Sequence, residues 1–193
     1  PFVTQPDNQS AYGLFLRMST ETTYSQPWLN APVLVPMFMT FAVTVAGVIA
    51  IAGLSFARQK ADAWDWEPPP ERWASPAIML LECSMVVGLA MLCGPLTEGN
   101  HMIIAFAGLA GAALVATPRI AAGSPHSGLW LATVAAWALP AFFVVYPKIN
   151  PLTLGQPEFW YGLQGWQILL SGRCAITLLL ASSFTALALW QAE

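Results

Sequence analysis

The chain has 193 residues, 56% of them hydrophobic and only 9% charged, and its mean hydropathy is +0.59. Ordinary soluble domains carry about a quarter charged residues, so composition points to an integral membrane protein. The net charge of −3 comes from few groups and offers no basic face, which excludes nucleic-acid binding.

Residues 1–32 are polar and mixed and read as an extramembrane arm. The chain begins with Pro1 and shows no basic, apolar and small-residue leader, which fits a removed targeting peptide and equally a disordered leader. The first candidate span is 33–56, free of charge, with Pro36 in its first turn, where a missing N–H is tolerated. Arg58 to Trp73 follows as a polar loop, stiffened by Pro68, Pro69 and Pro70, and Trp64, Trp66 and Trp73 are placed as a headgroup-level belt.

The second span, 74–96, carries Glu82 and ends at Gly94-Pro95. A third, 102–117, follows a short turn and is expected to be its antiparallel neighbour; Gly108, Ala110, Gly111, Ala112 and Ala113 permit close packing, and Pro118 and Arg119 are expected to stop it. A fourth apolar stretch, 128–145, is interrupted by Pro140 and reads as a kinked span or an interfacial segment. After an aromatic loop (Phe159, Trp160, Tyr161, Trp166) the last span, 166–190, holds Arg173 near its start, within snorkelling reach of the interface.

The expected fold is all-α, a polytopic transmembrane helical bundle of four to five membrane segments forming one domain behind the arm. With five spans, Arg58, Lys60, Arg72 and Arg119 fall on one side and Arg17 and Lys148 on the other, which favours a cytoplasmic or stromal proline-rich loop.

No Walker loop, dinucleotide fingerprint or zinc spacing occurs, and the expectation is a protein that is not an enzyme. Cys83, Cys93 and Cys174 lie in apolar stretches without metal spacing and read as small buried hydrophobes. Glu82 is the residue that asks for an explanation. A carboxylate in a membrane-length apolar segment costs several kcal/mol unless it is protonated, paired or bound to a cation. Two readings weigh equally on the residues alone: a ligand to a cation such as a magnesium-centred pigment, or a protonated or Arg-paired packing carboxylate. His101 is a second candidate, an imidazole able to ligate a metal or pigment from the interface, although an ordinary hydrogen-bonded interfacial histidine explains it more simply.

Ser75, Pro76, Leu81, Glu82, Met85 and Gly88 fall in register, without a gap, on the pattern S-P-(four residues)-L-E-(two)-M-(two)-G. This resembles the opening of the first membrane helix in the photosystem I reaction-centre subunit XI (PsaL) family. Gly94-Pro95-Leu96, the Gly/Ala-rich Gly108-Leu109-Ala110-Gly111-Ala112, and Gly165-Trp166 with Gly172 follow in family order, and Pro1-Phe2-Val3 is similar to that family's stromal arm. The resemblance covers 74–117 and 157–190. It implies a non-catalytic photosystem I subunit of the chloroplast thylakoid membrane that binds chlorophyll a and carotenoid. Its implied partners are core subunits, light-harvesting antenna proteins and lipids, with contacts that dock antennae or join oligomers. In the family the glutamate matching Glu82 ligates a chlorophyll magnesium. The family's second ligand, a histidine five residues on, is Val87 here, and 33–56 and 128–145 have no counterpart in the three-helix family.

A second resemblance concerns Asn150-Pro151-Leu152-Thr153-Leu154 and Ser171-Gly172-Arg173-Cys174-Ala175, which are similar to signatures of light-harvesting chlorophyll-binding proteins. It implies that Arg173 pairs with a pigment-ligating glutamate, a part open to Glu82. Two further alternatives are a small transporter or proton-handling subunit using Glu82, and a structural subunit of a respiratory complex.

Overall fold

The computed structural model describes residue 8 and residues 10–62, 75–94, 103–145 and 164–191, and among these every regular element is a helix. In chain order these are α1 (Ala11–Ser19), α2 (Leu34–Asp62), α3 (Pro76–Cys93), α4 (Ile104–Ala121), α5 (Ser127–Val145), α6 (Trp166–Ser171) and α7 (Arg173–Gln191). Four windows, Leu34–Ala52, Pro76–Cys93, Ile104–Ala121 and Arg173–Gln191, are long and apolar enough to cross a bilayer. The chain is an integral membrane protein with an all-α bundle.

Contacts between helices fix their directions. Gly108, near the start of α4, lies against Trp137, while Arg119, near its end, sits 4.9 Å from the Trp130 ring centroid; α4 and α5 are therefore antiparallel. Arg173 lies 5.4 Å from the Phe143 ring centroid, and Trp137 Nε1 donates to Thr185 Oγ1 at 2.8 Å, so α5 and α7 are antiparallel too. The short α1 touches the start of α2 through Phe15 and Phe38, with ring centroids 5.1 Å apart. It also touches the end of α6, where Arg17 Nε donates to Ser171 Oγ at 2.9 Å. Helices α2, α4 and α7 thus all begin on the α1 side. Helix α3 brings the chain back between α2 and α4, antiparallel to both. Its contacts agree, since Leu81 abuts Gly111 well inside α4, whereas Gly88, further along α3, abuts Leu178 near the start of α7.

Small residues let these helices close on one another. A Cβ at Gly111 would lie 2.9 Å from the Leu81 nitrogen, and one at Gly108 would run into the Trp137 indole. Trp130 and Trp137 are fully buried, as are Leu81, Met85, Ala112 and Leu178. Thr133 Oγ1 donates to Leu129 O at 2.9 Å and reaches Phe184 O at 3.4 Å, which with the Trp137–Thr185 bond sets the register of α5 on α7.

Several sequence expectations are corrected. Pro118 and Arg119 do not stop the third span; α4 runs to Ala121 with Pro118 inside its last turn. A proline there forfeits one amide, and the Arg119 guanidinium donates to Val115 O at 3.0 Å, supplying a donor to that last turn. The 128–145 stretch is not interrupted: α5 is continuous through a fully buried Pro140 and packs between α4 and α7. Helix α2 continues to Asp62, into the stretch expected as polar loop, because its Phe-Ala-Arg-Gln-Lys-Ala residues are mostly good helix formers with no breaker among them. The last span is two helices, parted at Gly172. The arm carries α1, which the sequence reading did not anticipate, capped where Ser10 Oγ accepts from Gly13 N at 3.0 Å. The proline triplet, Trp64, Trp66, Trp73, Phe159, Trp160, Tyr161 and Lys148 lie outside the described residues.

Candidate functional site

Helix α3 opens with Pro76 in its first turn behind an extended Ser75, where proline's fixed φ is already helical. Glu82 is the seventh residue of α3, about 9 Å along its axis from the start. The preceding residue, Leu81, is fully buried against α4, and Met85 is fully buried one turn on. One step round the helix, Glu82 falls on the rim of this face and is partly buried. Its outward neighbours Met79, Cys83 and Val86 are exposed. The carboxylate thus stands with the bundle on one flank and an open apolar surface on the other.

Among the described residues Glu82 has no hydrogen-bond or ion-pair partner. The nearby Ser84 hydroxyl is already committed to Leu80 O at 2.6 Å. Arg173 is not the partner either. With α3 and α7 antiparallel and Gly88 beside Leu178, Glu82 lies six residues from that level in one direction and Arg173 five in the other, a separation of about 16 Å along the bundle axis. The Arg173 guanidinium instead donates to Leu170 O at 3.4 Å and faces the Phe143 ring. It is buried rather than snorkelling outward, because α5 covers it. The imitation of a light-harvesting Glu–Arg pair by these two residues therefore does not form.

His101, the second candidate ligand, lies outside the described residues. Val87 is exposed on the outer face of α3. Among the cysteines, Cys174 is buried and Cys93 partly so, but Cys83 is exposed beside Glu82, contrary to the expectation of three buried hydrophobes.

No group of three or more His, Cys, Asp or Glu side chains able to hold a metal occurs among the described residues. Glu82 offers one oxygen donor set and no more. A single carboxylate beside the exposed Met79, Val86 and Val87 does not by itself make a closed metal site.

Sequence inspection missed a second polar cluster, where Arg17, Asn8 and Ser171 meet. Arg17 is fully buried; both of its terminal nitrogens donate to Asn8 O at 3.2 Å, and Nη2 reaches Ser171 O at 3.5 Å. Nothing in the local sequence marks Arg17, since one arginine in a polar arm looks like any solvated cation. No family model, curated protein or solved structure matches the chain.

Proposed function

We propose that this chain is a non-catalytic membrane subunit of photosystem I in the chloroplast thylakoid. In this reading it carries chlorophyll a and carotenoid on its outer surface and mediates contacts with core subunits and light-harvesting antennae. The observation that supports it is the setting of Glu82: a carboxylate within an apolar helix of membrane-spanning length, on the rim of α3, with no partner among the described residues and with exposed apolar neighbours. A charge so placed is relieved by a cation arriving from outside the bundle. A chlorophyll magnesium needs one axial oxygen, and its macrocycle would lie against Met79, Val86 and Val87. The resemblance of residues 75–88 to the subunit XI helix is what turns the reading toward that family.

Glu82→Gln in the native complex tests this. The variant assembles and loses or shifts one bound chlorophyll, read as chlorophyll per reaction centre and as a change in the low-temperature absorption spectrum. Unchanged pigment content and spectra reject the ligand role. One observation favours a transporter or proton-handling reading, the parted last helix, because broken helices build transport sites. That reading predicts a colourless preparation and a pH-dependent flux in liposomes abolished by the same substitution.

A further inference from the structure

We infer that α1 is a built-in plug that holds the last membrane helix in two pieces, and that undocking it lets α6 and α7 join into one helix from Trp166 to Gln191. The break between them is slight. One residue, Gly172, separates the two helices, and its φ of −101° and ψ of 21° lie close to the helical region. Its N–H turns to Leu169 O at 3.0 Å, and Ile176 N already donates to Gly172 O at 3.1 Å in the helical manner. No proline lies in Trp166–Gln191, so the sequence holds no obligatory breaker.

What stands at the break is α1. The Leu14 side chain is pressed on Gly172 so closely that a Cβ there would lie 2.7 Å from a Leu14 methyl carbon. Arg17, 0% exposed, grips Ser171 through its hydroxyl at 2.9 Å and its carbonyl at 3.5 Å while also holding Asn8 O. Ser171 in turn donates to Ile168 O at 2.6 Å. The carbonyls of Leu170 and Ser171, acceptors that a continuous helix would give to its own amides, receive guanidinium donors from Arg173 and Arg17. At Ser171 and Gly172 the break is thus matched to Arg17 and Leu14 of the arm, and the arm sets where α7 begins.

The inference makes the sign of one substitution depend on another. In a joined helix Gly172→Ala adds a better helix former; with α1 docked, the same methyl collides with Leu14. Thermal unfolding of the purified full chain in nanodiscs should therefore show Gly172→Ala lowering Tm in the native background and raising it in the Arg17→Met background. Leu14→Ala serves as a second background that keeps the arginine, and there too the fall should vanish or reverse. Hydrogen exchange on Arg17→Met should show Gly13–Arg17 losing protection while Arg173–Thr177 keep theirs. A drop in Tm of the same size in all three backgrounds overturns the inference, as does melting of the first turns of α7 together with α1.

Discussion

Helices α2 and α7 are both apolar enough to cross a membrane, yet only 11% of the α2 window is buried against 44% of that of α7. The residues that decide this are not the most hydrophobic ones. Helix α7 turns Ala175, Thr177, Ala181, Ser182, Thr185 and Ala188 into the protein, whereas α2 leaves Met37, Phe41, Val48 and Ile51 outside. In hydrocarbon a large apolar side chain loses nothing by facing outward. Small residues allow backbones to approach, and hydroxyls seek partners across the interface. Apolarity puts a helix in the membrane; smallness and hydroxyls put it in the centre.

That contrast can be broken at graded cost. Gly108→Leu pushes α4 off the Trp137 indole at the centre, and we expect a loss of about 3 kcal/mol of stability, read as a fall in Tm of the purified protein. Thr185→Val leaves the buried Trp137 Nε1 without its 2.8 Å acceptor and should cost about 1 kcal/mol, with a shift in tryptophan fluorescence. Val48→Ala on the open face of α2 should stay within about 0.5 kcal/mol. If Val48→Ala proves as costly as Thr185→Val, the outer face of α2 is covered by something in the native complex, and the contrast describes the isolated chain only.

The bundle was legible because charge and length are coarse signals: every apolar stretch of 33–56, 74–96, 102–117 and 128–145 became one helix. Ends were less so. Pro118 and Arg119 look like a stop, but a proline in the last turn breaks one bond only, and Arg119 donates to Val115 O in that turn. The parting at Gly172 was hidden for a different reason: Ser171-Gly172-Arg173 is tolerated by a helix, and it is Leu14 and Arg17, distant in sequence, that hold it apart. Glu82 stood out because a carboxylate in an apolar run is conspicuous, whereas its lack of a partner among the described residues depends on the antiparallel course of α3 and α7. That course also separates it from Arg173, which no local spacing could reveal.

The bond between Arg17 and Ser171 spans 154 residues of chain. At ribosomal rates of about 5–20 residues per second, roughly 8–30 s pass between the synthesis of one partner and the other. During that interval the guanidinium has water, lipid headgroups or an assembly factor for company, and α1 waits for the segment it packs on. The arm is therefore exposed until residue 171 has been made, and chains stalled before that point should display an accessible α1 that longer chains conceal.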